Sequence, residues 1–214
     1  MPAESFQVRV CQNPDCGLRY PLLKHTRFGE RCPICLSETV VVAQGSFESE
    51  QVRKARQPAT GPCLRGLVDN VRSAWNVGSI FRSAEGFGFE HLYLCGITPT
   101  PDNESVKKTA LGAQDSVSWS SHRNSVQLIA SLKERGCVIW VLEHTPQSVP
   151  IESAALALHS IRKCILVVGN EQVGVDPGIL EIADRIVHLD MRGRKRSFNV
   201  AVAFAVAASV ITHA

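Results

Sequence analysis

The sequence has no apolar run approaching the roughly 20 residues that a membrane-spanning helix needs. Its first residues, Met1-Pro2-Ala3-Glu4-Ser5, also lack the basic and then apolar pattern of a secretory signal. The formal net charge is only +3, so overall charge does not by itself indicate a nucleic-acid binder. These absences favour a cytoplasmic protein that does not contact a membrane.

Two common nucleotide-binding fingerprints are absent as well. Residues 167–175 follow an apolar run and contain glycines, but they have neither the Gly-Lys-Ser/Thr ending of a phosphate loop nor Gly-x-Gly-x-x-Gly. In this stretch Gly169 permits a sharp turn, and Glu171 can accept hydrogen bonds from a positive group or from backbone N–H groups. A plain turn is the simplest interpretation of the stretch taken alone.

Half of the eight cysteines stand singly in apolar surroundings that are typical of strands. We interpret these four as buried free thiols of a protein in a reducing compartment. They are Cys63, Cys95, Cys137 and Cys164.

The other four cysteines form a C-x4-C pair and a C-x2-C pair, with short alternating runs before and after them. Two facing cysteine turns can supply four thiolates at the corners of a tetrahedron, which is the arrangement of a structural zinc site. The spacing therefore predicts a zinc-ribbon-like β module over residues 1–44, with Zn ligands Cys11, Cys16, Cys32 and Cys35. Two disulfides, or a ribbon without metal, are the alternatives.

Basic and aromatic residues are interleaved in this module, which fits contacts with RNA phosphates and bases. They are Arg9, Arg19, Lys24, His25, Arg27 and Arg31, with Tyr20 and Phe28. A role in protein contact or in stability alone is equally open. A polar segment without apolar periodicity follows at residues 45–62, and we interpret it as a linker.

Residues 63–214 have the rhythm of an α/β domain. The pattern predicts helices at residues 77–85, 126–134 and 177–183, and apolar strands at residues 64–68, 91–95, 137–142, 164–168 and 185–189. Continuous apolar strands separated by helices indicate a parallel sheet with helices on both faces. Binding sites on such sheets lie beyond the carboxyl ends of the strands.

Distinctive residues follow the first and last of these strands. After the first, Asn76 is a candidate helix cap, and Arg82 projects from the same helix. After the last, a basic loop contains Ser197 and Asn199, two further candidate caps, before the apolar helix at residues 201–211. A polar loop leading into a helix N-terminus can bind an anionic or polar ligand.

Together these stretches resemble the SpoU/TrmH class of knotted (SPOUT) RNA methyltransferases. The pattern N-x-R-S-A-x-N-x-G-S-I-x-R is matched at residues 70–82, and G-x-E-x-x-G at residues 169–174. The family pattern I-P-M-x-G-x-x-x-S-L-N-V-S-x-A is matched at residues 189–203, with Asp190 where proline is usual and with Leu189, Phe198 and Ala201 as milder departures. The likeness extends over about residues 63 to 214.

The resemblance implies a deep trefoil knot near the C-terminus and a homodimeric protein. It also implies that knot backbone binds S-adenosylmethionine, around Leu142, Gly169, Leu189, Met191 and Phe198.

The implied reaction is methyl transfer to a ribose 2′-hydroxyl. The resemblance assigns the central role to Arg82, acting from the subunit opposite the bound cofactor, with Asn76, Glu171, Ser197 and Asn199 positioning it. Since an arginine side chain ordinarily stays protonated and is a poor general base, two mechanisms stay open. Arg82 is either partly deprotonated by its surroundings, or it stays cationic and orients the hydroxyl and a phosphate.

The densest basic cluster of the chain lies beside this predicted site and fits RNA phosphate contacts. It consists of Arg192, Arg194, Lys195 and Arg196. A solvated loop is the alternative for this cluster, and both tRNA and rRNA are open as substrates. For the whole chain, two non-enzymatic alternatives are a non-catalytic RNA-binding protein and a zinc-ribbon adaptor.

Overall fold

The computed structural model describes residues 4–24, 26, 29–47, 62–155 and 161–213. The chain divides into two compact units, Met1–Gln57 and Pro58–Ala214. Three of the residues considered above for RNA contact, His25, Arg27 and Phe28, lie outside the described residues, as does most of the predicted linker.

The smaller unit contains an antiparallel sheet with the strand order β2-β1-β3. Its strands are β1 (Glu4–Cys11), β2 (Arg19–Leu23) and β3 (Thr39–Phe47). The last strand continues through Gly45, into the segment predicted as linker. Phe6 pairs with Gly45 across the sheet, and a Cβ on this glycine would lie 2.6 Å from the Phe6 ring, so the glycine leaves space for the aromatic side chain.

The larger unit alternates strands and helices along most of its length. Its elements in chain order are β4 (Cys63–Asp69), α1 (Ala74–Gly86), β5 (His91–Cys95), α2 (Glu104–Ala110), α3 (Ala113–Ser116), β6 (Ser118–His122), α4 (Ser125–Glu134), β7 (Val138–Leu142), β8 (Val149–Pro150), α5 (Ile151–Ala155), β9 (Lys163–Val168), α6 (Pro177–Ile182), β10 (Arg185–His188) and α7 (Val200–Thr212).

Seven strands among the described residues form one parallel sheet with the order β6-β5-β4-β9-β7-β10-β8. The predicted parallel α/β architecture, its five apolar strands and its three helices are thus confirmed, with small shifts at their ends. The pattern missed two strands, the two-residue β8 and β6, whose sequence Ser118-Trp119-Ser120-Ser121-His122 is mostly polar. An edge strand pairs on one side only and is less buried, so it does not need a continuous apolar sequence.

Apolar side chains fill both faces of this sheet. On one face, fully buried Phe81 of α1 and Phe204 of α7 belong to the same core cluster as Trp140 of β7. On the other face, Ile129 of α4 and Ile179 of α6 are also fully buried. Three of the four single cysteines are buried free thiols as predicted, but Cys63 is only half-buried, and its thiol donates to Glu90 Oε2 at 2.6 Å.

The strand order brings three distant segments to one edge of the sheet. β9 lies between β4 and β7, and β10 lies beside β7. Because all these strands are parallel, the segments that follow β4, β9 and β10 leave the sheet at the same edge. No helix in the described ranges combines the length and apolar character needed to cross a bilayer.

We predict that Gly78→Ala lowers the free energy of unfolding by about 1 to 3 kcal/mol, because a Cβ in this packed interface forces α1 and α2 apart. That atom would lie 2.6 Å from Thr109 Cβ, 2.7 Å from Val106 O and 2.9 Å from Ala110 N. Urea denaturation measures the effect. Gly86→Ala is the matched control on the same helix, since nothing lies within 4 Å of its added Cβ, and a Gly78 variant as stable as this control would contradict the prediction.

Candidate active site

The Glu171 carboxylate, in the turn after β9, accepts three hydrogen bonds from the beginning of α1. Oε2 accepts from the Arg72 N–H at 3.0 Å, and Oε1 accepts from the Ser73 N–H at 3.1 Å and from Asn76 Nδ2 at 2.9 Å. N–H groups at a helix start have no partner within the helix, and the positive end of the helix dipole favours a negative charge. Glu171 therefore joins the first and second predicted motifs.

Asn76 and Asn199 extend this connection to the third motif. Asn199 Nδ2 donates to Asn76 Oδ1 at 3.0 Å, while Asn199 Oδ1 accepts from the N–H groups of Ala201 at 2.9 Å and Val202 at 3.3 Å. Asn199 thus caps α7, as predicted.

The prediction that Asn76 caps a helix was wrong. Ser73 is the cap of α1, and its hydroxyl accepts from the Asn76 N–H at 3.3 Å. Asn76 lies in the first turn of the helix, which leaves its side-chain amide free to bond to Glu171 and Asn199. The Asn76 side chain therefore contributes to the site and does not cap the helix.

These contacts lower the pKa of Glu171 below its ordinary value of 4.5. Slight burial by itself raises the pKa, but the hydrogen bonds from the Arg72 N–H, the Asn76 side chain and backbone N–H groups outweigh it. Glu171 is therefore anionic at neutral pH. An anion at this position suits a role as acceptor that holds the other groups in place.

Buried or partly buried polar groups hold the rest of the turn after β9. Asn170 Nδ2 donates to the backbone carbonyl of Asn70 at 2.7 Å, and the Asp176 N–H donates to Asp69 Oδ2 at 3.1 Å. Asp69 is only 1% exposed and is the one acidic or basic residue that is buried in the described part of the chain. At Gly169 an added Cβ would collide with the backbone of Gly174, so this close turn requires glycine.

A cavity of about 580 Å³ lies next to this network. All five residues predicted to bind the cofactor line it, and so do Glu171, Ser197 and Asn199 of the predicted catalytic set. Arg196 of the basic cluster also lines it. The full lining is Leu142, Glu143, His144, Val168, Gly169, Asn170, Glu171, Gln172, Val173, Gly174, Val175, Leu180, His188, Leu189, Met191, Arg196, Ser197, Phe198, Asn199, Val200 and Ala203.

The remaining predicted residues lie outside this lining. Asn76 reaches it only through its bonds to Glu171 and Asn199, and Arg82 is exposed on α1. Arg192, Arg194 and Lys195 are exposed in the loop before α7.

Sequence reasoning did not identify the polar residues of the lining that follow β7 or end β10. Glu143 Oε2 accepts from the Val175 N–H at 3.2 Å, and the rings of His144 and His188 lie 5.1 Å apart. His188 also contacts Asp190, with 3.3 Å between Nε2 and Oδ1. Their position at carboxyl ends of predicted strands was the available signal, since sites on parallel sheets occur there.

The second cluster of chemical interest lies in the smaller unit. The Sγ atoms of Cys11, Cys16, Cys32 and Cys35 all lie within 4.8 Å of one another. Cys11 and Cys35 are 3.4 Å apart at sulfur, and Cys16 and Cys32 are 3.6 Å apart, so neither pair is a disulfide. Four thiolates at about 2.3 Å from a tetrahedral zinc ion lie roughly 3.8 Å from one another, so the donor set fits this metal.

The sequence profile of the SpoU rRNA Methylase family matches residues 64–209, well over half of the 214-residue chain. The chain belongs to this family. The matched residues include the segments that follow β4, β9 and β10, which form the hydrogen-bonded network described above.

Individual members of the family share about 30% of their residues with this chain. The chain is 29% identical over 149 residues to the Bordetella pertussis 23S rRNA (guanosine-2′-O-)-methyltransferase RlmB, covering 68% of this chain and 58% of that protein. It is 30% identical over 145 residues to the Aquifex aeolicus tRNA (guanosine(18)-2′-O)-methyltransferase, covering 64% of this chain and 63% of that one. It thus spans less than two thirds of either relative.

Solved SpoU structures share the fold. The A. aeolicus TrmH/SpoU tRNA modifying enzyme is 27% identical with a TM-score of 0.64, over 72% of this chain and 76% of that one. The Streptomyces viridochromogenes methyltransferase AviRb, in complex with AdoMet, is 19% identical with a TM-score of 0.65, over 83% and 68% of the two chains. At that identity the second likeness concerns the fold alone.

We predict that Glu171→Gln lowers the free energy of unfolding at neutral pH, because it weakens the hydrogen bonds that the carboxylate accepts. The expected loss is only about 1 kcal/mol, because Glu171 is exposed and water screens its charge. A depressed folded-state pKa stabilises the protein above the unfolded-state value, and this contribution is lost as pH falls through the folded-state pKa. The difference from the wild type should therefore shrink below the ordinary value of 4.5. Urea denaturation across this pH range measures it.

Glu181→Gln is the control, because Glu181 is an exposed carboxylate with no hydrogen bond among the described residues. Its difference from the wild type should stay small at every pH. A Glu171→Gln difference that persists unchanged in acid would contradict the account of the carboxylate given above.

Proposed function

We propose that this chain transfers a methyl group from S-adenosylmethionine to a ribose 2′-hydroxyl of tRNA or rRNA. The observation that carries the proposal is the chain of hydrogen bonds Glu171–Asn76–Asn199, which joins the three SpoU motifs along one side of the 580 Å³ cavity. The named activities of both relatives, on 23S rRNA and on tRNA, support the same reaction class.

The cavity fits S-adenosylmethionine in size and chemistry. Small-molecule sites typically measure about 300 to 1,000 Å³ and combine apolar walls with a few polar groups. Leu142, Leu189 and Phe198 would flank the cofactor, with Met191 and the close turn at Gly169 beside them. When bound, the cofactor would supply a methyl group attached to a positively charged sulfur. An oxygen nucleophile can attack this methyl carbon, with the sulfur as leaving group.

The residues of the network would orient the RNA hydroxyl. Asn76 and Asn199 are held by Glu171 and by the α7 backbone, and Ser197 lines the cavity next to them. Groups held in advance lower the entropic barrier of an in-line displacement. The hydroxyl proton must leave as the new O–C bond forms, either to a neutral Arg82 or to another acceptor while Arg82 stays cationic.

We further propose that two copies of the chain form the complete site. Arg82 is exposed on α1 and does not line the cavity of its own chain. A homodimer would present the Arg82 of a second copy to the cofactor.

The basic loop would hold the RNA backbone. Arg192, Arg194 and Lys195 are exposed, and Arg196 reaches the cavity lining. Phosphate contacts of this kind position RNA without selecting its sequence.

We also propose that the segment between β10 and α7 passes through a loop of the preceding chain, as a trefoil knot. The insertion of β10 between the earlier strands β7 and β8, and the return of Asn199 to the start of α1, support this path.

In the smaller unit we propose a structural zinc ion held by Cys11, Cys16, Cys32 and Cys35, on the sulfur geometry described above. A closed four-thiolate site leaves no open position for catalysis.

We predict that Arg82→Ala reduces methyl transfer by at least about 100-fold, because it removes the group that handles or orients the hydroxyl proton. Binding of S-adenosylmethionine should be unchanged, since Arg82 does not line the cavity. The assay uses isotopically labelled cofactor and total RNA from cells lacking the protein, with calorimetry for cofactor binding. Arg135→Ala, another exposed arginine, is the control.

Mixing two inactive variants tests the role of the second copy. Gly169→Val should distort the wall of the cavity, because even a Cβ collides with the backbone of Gly174, which also lines it. Mixed dimers of Arg82→Ala and Gly169→Val chains should regain partial activity if Arg82 acts across subunits. Near-normal activity of Arg82→Ala alone would overturn its assignment, and failure of the wild type to bind S-adenosylmethionine would overturn the proposed function.

We predict that the purified protein contains one zinc ion per chain and that Cys35→Ser loses it. The small unit has little apolar core, so metal binding would supply much of its folding free energy. Elemental analysis gives the zinc content, and hydrogen exchange should show lost protection in β1, β2 and β3. Cys63→Ser, outside the cluster, should keep both, and a zinc-free wild type with full protection would refute the metal site.

A further inference from the structure

Trp75 exposes 58% of its surface in the first turn of α1, directly before Asn76. The other two tryptophans are packed, since Trp140 is fully buried and Trp119 contacts the core. A large exposed aromatic side chain beside a polar site is typical of a binding surface rather than of a stabilising contact. The exposed part of the Trp75 indole is therefore available to a bound molecule.

Trp75 and Arg82 lie on the same face of α1. They are seven residues apart, which at about 100° per residue is nearly two full turns and places them about 10 Å apart along the axis. The residues Val77, Phe81 and Ala84 occupy the buried side of the helix. An indole ring and a guanidinium group thus form one exposed stripe next to the Asn76 network.

Lys108 of α2 adds a second positive charge. Its Nζ lies 6.0 Å from the centre of the Trp75 ring, within the range of a cation–π contact. The neighbouring Lys107 has its ammonium group paired with Glu104 at 2.9 Å, whereas Lys108 has no carboxylate partner among the described residues. The charge of Lys108 is therefore available to a phosphate.

We propose that Trp75 stacks on a nucleobase of the substrate RNA while Lys108 contacts the adjacent backbone phosphate. A nucleotide turned out for reaction loses its stacking partners, and an aromatic side chain can replace them. The positive charge of Lys108 beside the indole suits the phosphates of a polyanion. This inference rests on the proposed RNA substrate, and in it Trp75 would hold the RNA strand beside Arg82.

Binding of a fluorescent eight-nucleotide oligoadenylate, followed by anisotropy, tests the stacking. Trp75→Leu should weaken binding roughly five- to one-hundredfold, because one stacked base is lost while a similar apolar side chain remains. Trp75→Phe keeps an aromatic ring and should bind within a few-fold of the wild type. RNA should also quench the tryptophan emission of the wild type more than that of Trp75→Phe.

The paired lysines test the phosphate contact. Lys108→Ala should weaken binding and reduce the slope of log affinity against log salt by about 0.7, the value for one single-strand phosphate contact. Lys107→Ala is the matched control and should leave the slope unchanged, since its charge is already paired.

Three results would overturn the inference. They are equal affinity of Trp75→Leu and the wild type, absence of oligoadenylate binding by the wild type at low salt, and dissociation of Trp75→Leu into monomers, which would make Trp75 a contact between copies. A different result would refute the proposed function alone. If the wild type binds RNA through Trp75 but does not bind S-adenosylmethionine, methyl transfer is refuted while stacking on Trp75 is still supported.

Discussion

The hydrogen bonding of one carboxylate to one helix start holds the candidate site together. Glu171 accepts from two backbone N–H groups and one side chain at the beginning of α1, across about a hundred residues of sequence. The helix start needs acceptors and the carboxylate needs donors, so each satisfies the other. Asn76 in turn accepts a hydrogen bond from Asn199, the cap of α7, so the start of α7 is held as well.

This contact depends on the order of strands in the sheet. Because β4 and β9 are neighbours and parallel, the turn after β9 lies beside the start of α1. Buried Asp69 strengthens the arrangement by accepting from the Asp176 N–H, so the same turn is held at both ends. Asp69 accepts from the Asn70 side chain and from the Asp176 N–H, and losing these donors would leave buried acceptors unsatisfied.

Helix α1 has one side buried in the core and one side exposed to solvent. Its buried side packs against the sheet and, through Gly78, against α2. Asn76 points into the hydrogen-bonded network, while Trp75 and Arg82 are exposed. Arg82 therefore lies outside the cavity of its own chain, on the exposed side of α1.

The sequence by itself determined the parallel α/β architecture, because continuous apolar strands are recognisable without any long-range information. It also determined the three motifs, a helix cap at Ser197 or Asn199, and the grouping of the four cysteines into two turns. The pairing of polar β6, the bonds of Asn76 to Glu171 and Asn199, and the place of Glu143, His144 and His188 in the cavity lining were decided only by tertiary structure. Their positions depend on which strands are neighbours and on which donor meets which acceptor. Those are distances in space, which the local pattern indicates only as far as the strand ends at which such sites occur.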